Sequence, residues 1–371
     1  MSLLSNLKQN VKEYPERIQS LMMYNRRRKG GHYGLLQALP KSKKVSHEQM
    51  IEINEFWQPY IKTLKQRYAY DQRWFDVYNR TNVFGFELKK FIPNGYYYSI
   101  VDMALSDWHF APKLDDKNLY DLYYSDVKQP DTIIRRINDV YLDAEFNPIT
   151  AEEAVRICLK NEALIVKPSV DSMAGAGIST WKSCNGENKL RHIILEGKYN
   201  FVCQKFIKQH EMFSQFCSSC VNTMRIVSLL WKGDVHITSA VLIMGGVNAK
   251  TNHLHSGGLV CGILPNGNLR HTAFDGSLNE YNSHPNGVKF DSVKISQYPE
   301  IVNIVKRIAP RLSNVSKIIN WDFTIDESGE PVLIESNLTL GGSVQIASGP
   351  AFGDLTEEVL DYVLKKGVWI K

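Results

Sequence analysis

The sequence predicts an α+β protein, with a helical, basic amino-terminal region followed by short strands and helices. Three observations lead there. Between Val45 and Tyr70, apolar residues fall at helical spacing: Met50, Ile53, Phe56, Trp57, Tyr60, Ile61 and Leu64. From about residue 113, short apolar runs stop at proline or glycine, as in Ala163-Leu-Ile-Val-Lys-Pro168 and in Val235–Met244 before Gly245-Gly246. Near the carboxyl end, Ile318–Ile325 and Pro331–Ser336 flank Asp326-Glu-Ser-Gly-Glu330, the pattern of a hairpin.

The elements follow in order. Ser46 or His47 starts the Val45–Tyr70 helix. Phe91–Ala111 is aromatic and interrupted by a Pro93-Asn94-Gly95 turn. Asp116 caps a short helix through Tyr124, and Thr132–Leu142 reads as a strand or hairpin. Thr150-Ala-Glu-Glu153 is a capping box opening a helix to Leu159. Ala163–Pro168 is a buried strand, and a Gly-rich loop, Ser169 to Ile178, follows it. Phe201–Ile207, Thr223–Leu230 and Val235–Met244 read as further strands, Val288–Ile308 contains a helix stopped by Pro310, and Asp354–Leu364 is the last helix.

Composition narrows the class. The 371 residues are 43% hydrophobic and 22% charged, enough for a sizeable core and unlike a disordered chain. No stretch approaches the ~18–20 apolar residues of a membrane span. Met1–Asn10 lacks the apolar core of a signal peptide, so a cytoplasmic protein is expected, with membrane association no more than peripheral. A net charge of +5 suits a small polyanionic ligand and does not demand nucleic acid. Arg26, Arg27, Arg28 and Lys29, with Lys41, Lys43 and Lys44, read as a solvated face or as a surface for anionic lipid or polysaccharide. The six cysteines include one close pair, Cys217-Ser-Ser-Cys220. Without a second pair, free thiols are expected rather than zinc, although His253 and His255 could supply ligands.

Two segments carry chemistry. In the 318–336 hairpin, Asp322 falls opposite Glu335, and Asn337, two residues on, points the same way. Two carboxylates and an amide on one face suit Mg²⁺, which keeps other positions for water and phosphate. An exposed face of solvated acids is the bland alternative. The second segment is Lys167 at a strand end before its Gly-rich loop, a cation and flexible backbone N–H groups suited to phosphate. There is no Gly-x₄-Gly-Lys-Ser/Thr, and Gly175-Ala-Gly177 lacks the third glycine of a dinucleotide fingerprint.

Taken in order, Asp116-Lys117, Ile165-Val-Lys167-Pro168, Gln204-Lys-Phe-Ile207, Glu211, Trp321-Asp322, Leu333-Ile-Glu-Ser-Asn337 and Gly341-Gly342 resemble the ATP-grasp superfamily. Asp115-Asp-Lys-Asn-Leu-Tyr120, Asn222-Thr-Met-Arg-Ile226 and Gly257-Gly258…Gly262 resemble, more narrowly, its sugar-transfer-associated family, over about residues 90–365. The resemblance implies two α+β subdomains gripping ATP: an amino-terminal region at 1–112, a small subdomain with its preceding segment at 113–203, and a large one at 204–371. It implies that Lys117 and Lys167 touch phosphates, and that Ser172, Gly175 and Gly177 belong to the loop over them. Gln204, Lys205, Phe206 and Ile207 match the hinge that reads adenine, with Gln204 where many members have Glu. Glu211, or His210 beside it, matches the ribose-hydroxyl acceptor. Asp322, Glu335 and Asn337 match the ligands of Mg²⁺, or of Mn²⁺ in its place. Arg225, with Lys167, is the expected catalytic cation, facing the γ-phosphate. The acceptor is expected beside Arg225, His255, Ser256, Gly341 and Gly342, with Trp57, Trp74 and Trp108 as stacking faces or core.

The implied reaction joins a carboxylate to an amine through an acyl phosphate. The expected substrates are a small or sugar-linked carboxylate, such as a hexuronic acid, and an amine or amino acid, in bacterial surface-polysaccharide synthesis. Two rivals remain at this stage. One is a phosphotransferase, since Asp322-Phe-Thr324 superficially resembles a kinase Asp-Phe-Gly, although no His-Arg-Asp loop is present. The other is a non-catalytic ATP-binding assembly protein.

Overall fold

In the computed structural model the described residues are 3–170, 177–197, 199–339 and 344–367, with side chains described from residue 18 onward, His255 excepted. The amino-terminal region is helical: α1 (Leu3–Ala38), α2 (His47–Trp57), α3 (Leu64–Ala69) and α4 (Trp74–Thr81). Ser46 caps α2 in a reciprocal box with Gln49. The helix expected over 45–70 is two helices, because Pro59 sits in a 3₁₀ turn at Gln58–Tyr60 and Thr63 starts α3 with its own box to Gln66. Helix α1 lies close on the 94–96 turn; a Cβ on Gly31 would fall 2.6 Å from Gly95 Cα and one on Gly95 would fall 2.7 Å from Ala69 O, so both positions need glycine. Within the basic run, Arg27 points inward and pairs with buried Asp102 at 2.6 Å, while Arg26 and Lys29 stay exposed.

Two antiparallel sheets follow. The smaller contains β1 (Thr132–Ile137), β2 (Val140–Asp143), β3 (Pro148–Ile149), β4 (Ala163–Pro168), β5 (Ser179–Lys182) and β6 (Phe201–Lys205), in the order β3-β2-β1-β6-β4-β5. Its inner face packs on the helices Ala151–Leu159 and Glu187–Leu195 around Leu164, Val166, Phe201 and Cys203. The larger contains β7 (Thr223–Trp231), β8 (Asp234–Met244), β9 (Leu259–Ile263), β10 (Leu269–Asp275), β11 (Glu280–Tyr281), β12 (Ile318–Ile325) and β13 (Pro331–Asn337), in the order β11-β10-β9-β8-β7-β12-β13.

The two faces of the large sheet have different neighbours. Met224, Ile226, Ile319, Trp321 and Phe323 point into a core shared with the helix Tyr298–Ile308. Val227, Leu229 and Ile318 point the other way, into a core shared with Trp57, Phe75, Tyr96 and Ile100 of the helical region and Val359, Leu360 and Val363 of the last helix, Thr356–Lys366. The helical region is therefore built onto the sheet. Trp57 and Trp74 are buried in that core, and Trp108 packs against it.

Candidate functional site

The alternation of β7 and β12 that sends Val227 and Ile318 into the helical region sends Arg225, Asn320 and Asp322 to the same face, farther along the strands. Arg225 pairs in register with Asp322, and Asp322 with Glu335, so a cation and two acids form one row across three strands. Arg225 Nε and Nη2 donate to the two Asp322 carboxylate oxygens at 2.8 and 2.7 Å. Burial alone lowers the pKa of this guanidinium, but the Asp322 charge and its hydrogen bonds carry it above its ordinary value. Asn320 pairs with Asn337 one step along, and Asn320 Oδ1 and Asn337 Nδ2 are both buried with no hydrogen-bond partner.

A wedge between the sheets brings in Lys117. Asp116 accepts from Asn118 N at 2.9 Å and opens the 3₁₀ turn Lys117–Leu119, which runs into the helix Tyr120–Tyr123. The wedge is bonded to both sides. Lys117 N donates to Ser169 O, and buried Arg135 donates to Asn118 O and pairs with Asp121, tying it to the small sheet. Tyr120 Oη donates to Ser336 O and Tyr124 Oη to Ser336 Oγ, while Leu338 N donates to Asp115, tying it to β13. The Lys117 ammonium is thereby buried and lies 2.8 Å from Glu335 Oε1, so it is no surface lysine. Burial, with Glu335 and Asp115 adding to it, raises the Tyr120 pKa far above its ordinary value, so the phenol stays a neutral donor.

On the small sheet, Lys167 and Gln204 share the face opposite the Leu164–Cys203 core. Lys167 Nζ donates to Gln204 Oε1 at 3.2 Å. Burial lowers the Lys167 pKa to about 8, with Glu335 opposing that shift and Lys117 adding to it. Past β6 the chain crosses to the large sheet. Lys205 N donates to Asp131 O, Phe206 N to Ala163 O, and His210 N to Ile325 O. Phe206 is exposed, Ile207 half-buried, and Glu211 exposed at the start of a one-turn helix that His210 caps. Gly177 has φ +75° and a Cβ there would fall 2.7 Å from Pro168 Cγ, so the return to β5 requires glycine. Ser172, Gly175, Gly341, Gly342 and the His255 side chain lie outside the described residues; Ser256 is exposed on a 3₁₀ turn, Leu254–Ser256.

The structure thus brings together Lys117, Lys167, Gln204, Arg225, Asp322, Glu335 and Asn337. Glu211 and Ser256 are exposed on short turns elsewhere on the chain. Reasoning from sequence missed Arg135, Tyr120, Tyr124 and Asn320. Tyr120 alone had a local signal, three residues after Lys117; the others are placed by pairings from 17 to 212 residues away.

The donor set suits a metal-bound polyphosphate. Two carboxylates, an amide oxygen and three cations converge, and Asn337 Nδ2, Ser169 Oγ and both Asn118 amide atoms are buried without partners, a concentration of polar capacity that a ligand can use. No described helix is long and apolar enough to cross a membrane.

No curated protein matches the sequence. Among solved structures, the chain is similar to L-amino acid ligase from Bacillus licheniformis at 15% identity and a TM-score of 0.40, covering 70% of this chain and 49% of that one. It is similar to D-alanyl-alanine synthetase A from Vibrio cholerae at 12% identity and a TM-score of 0.40, covering 68% and 64%. It is also similar to N5-carboxyaminoimidazole synthase from Aspergillus clavatus, in complex with ADP and 5-aminoimidazole ribonucleotide, at 10% identity and a TM-score of 0.40, covering 69% and 54%. The chain spans about half to two thirds of the length of these proteins. The sequence itself gives the firmer assignment: residues 104–360, well over half of the chain and every element of both sheets, match the family described as sugar-transfer associated ATP-grasp, and to that family the protein belongs.

Proposed function

We propose that the protein is an ATP-dependent carboxylate–amine ligase that joins an amine or amino acid to a small or sugar-linked carboxylate, a hexuronic acid being the substrate class we favour, in surface-polysaccharide synthesis in the cytoplasm. The observation that carries this reading is the row Arg225–Asp322–Glu335 with Lys117 on its end and Lys167 on the facing sheet. Asp322, Glu335 and Asn337 would hold Mg²⁺, whose chemistry is to neutralise and orient phosphate oxygens. Lys117 and Lys167 would bind phosphates, Gln204 with the backbone through Ile207 would bind adenine, and Glu211 the ribose. The Gly-rich loop, including Ser172, Gly175 and Gly177, would cover the phosphates.

A substrate carboxylate oxygen attacks the γ-phosphorus and ADP leaves; the amine nitrogen then attacks the acyl carbon, and phosphate and a proton leave. Arg225 would exchange its hold on Asp322 for phosphoryl oxygens as charge builds there, which is electrostatic stabilisation by a group already in place. The acceptor would sit beside Arg225, between the large sheet and the helical region, near His255, Ser256, Gly341 and Gly342. The test is an ADP-release screen over uronic acids crossed with amino acids, with the product weighed by mass spectrometry. The expected product is lighter than the sum of its substrates by one water. A product heavier than one substrate by a phosphoryl group, with no amide, overturns the ligase reading.

A further inference from the structure

Away from the nucleotide side, Arg270 on β10 lies in a cavity of about 270 Å³ lined by Phe84, Leu264, Asn268, Leu269, His271 and Asp291. Its guanidinium carbon sits 4.4 Å from the centre of the Phe84 ring and 5.0 Å from that of Phe86. Aromatic faces hold a guanidinium flat and leave its edge N–H groups free to donate in the plane. The edge is free here: no described carboxylate lies within ion-pairing distance of Arg270, its Nε is buried with no hydrogen-bond partner, and no described group accepts from its terminal nitrogens. Asp291, the one acid among the described residues of the wall, does not pair with it. The buried Nε without a partner carries a standing cost, and the terminal donors of this half-buried permanent cation are open to a ligand.

The cradle is built. Asn82 fixes the Phe86 backbone through both its amide atoms, accepting from Phe86 N at 2.8 Å and donating to Phe86 O at 2.7 Å. A Cβ on Gly349 would fall 2.7 Å from the Phe86 ring, so that ring is held against backbone. The Arg270 stem crosses Gly262, where a Cβ would lie 2.7 Å from its Cδ and 2.9 Å from its Nε. His271 stands edge-on to Phe84, with centroids 5.2 Å apart. Gly262 pairs with Val241, which pairs with Arg225, so the Gly262 position beneath the Arg270 stem lies on the same sheet face as Arg225, two strand spacings or about 10 Å across it, with Val344 and Ala347 packed on Val241.

We propose that this cavity is an oxyanion site in which Arg270 takes the phosphate or carboxylate group of a ligand through a planar, two-point contact. The inference does not depend on the ligase reading, because it concerns binding alone. Two sources offer that chemistry, a free phosphate and an acidic sugar, and two probes separate them: inorganic phosphate and glucuronate. Each is titrated calorimetrically into protein saturated with Mg²⁺ and a non-hydrolysable ATP analogue, which fills the γ-phosphate position. The expected result is saturable binding of at least one probe, weakened at least tenfold in Arg270→Gln and two- to fivefold in Arg270→Lys, with analogue affinity unchanged. Arg270→Lys keeps the charge and the stem, so it reports even where Arg270→Gln does not fold. Binding of neither probe to the unaltered protein, or equal binding of both by the unaltered protein and Arg270→Lys, overturns the proposal.

Discussion

Two buried polar clusters in this protein contrast in how fully they are satisfied. Under the helical region, Gln345 uses all of its amide: Oε1 accepts from Ile92 N and Ala351 N, and Nε2 donates to Tyr78 Oη and Ile92 O, all between 2.9 and 3.2 Å. Between the two sheets, Asn118, Ser169, Asn320 and Asn337 leave buried polar atoms without partners, and Lys167 meets one amide oxygen. A saturated cluster repays its desolvation within the fold and serves stability; an unsaturated one carries a standing cost that a ligand can remove. The contrast belongs to these two clusters rather than to whole regions, since Arg27 Nε and Tyr70 Oη in the helical region are also buried without partners.

The sharpest way to break this contrast is Glu335→Gln, which keeps shape and removes a charge facing Lys117. Turnover should fall by about 10²–10³-fold in protein that is still folded at the assay temperature, measured on one preparation; near-normal turnover would remove Glu335 from the reacting centre. Gln345→Ala should do the reverse, costing about 2–4 kcal/mol in denaturant unfolding while folded protein keeps its nucleotide affinity. Lys167 tests the site by pH. Its pKa of about 8 is lowered by burial, and bound phosphates favour the charged form. ADP affinity should hold below pH 8 and fall above it by up to about tenfold per unit, whereas in Lys167→Arg it should be flat across that range; parallel profiles would show that Lys167 does not meet phosphate. Smallest is Ser169→Ala. Removing a buried hydroxyl that has no partner should leave stability unchanged or raise it by up to about 1 kcal/mol, and a clear loss by calorimetry would show that the hydroxyl is satisfied.

Local signals were legible where geometry is local. The Thr150–Glu153 box opens the helix Ala151–Leu159, and Asp326-Glu-Ser-Gly-Glu330 sets the turn whose strands pair Asp322 with Glu335. Strand β9 is left unassigned by the sequence, where Gly257, Gly258 and Gly262 carry only the family resemblance and Gly262 breaks a short apolar run. Gly262 is glycine because the Arg270 stem and the Ala347 carbonyl occupy the place of a Cβ. Nor could the run at residues 26–29 reveal that Arg27 alone turns inward, since its partner Asp102 is 75 residues away. In the site, the types of Lys117, Lys167 and Glu335 could be named from sequence. The Lys117–Glu335 and Arg225–Asp322 contacts follow from strand register and from the Arg135 and Tyr120 ties, which no spacing rule encodes.

The core that the helical region shares with the large sheet sets how the molecule should come apart. The family match begins at residue 104, but Trp57, Phe75 and Ile100 bury the same apolar surface as Val227, Leu229 and Ile318. The small sheet has an interior of its own around Leu164, Val166 and Cys203. Opening one side of a shared core exposes the other, so those parts melt together, while a separate core can open alone. Hydrogen exchange should therefore resolve two cooperative units: amides of α2, α4, β7 and β12 with one opening free energy, and amides of β4 and β6 with a lower one that rises when nucleotide bridges the sheets.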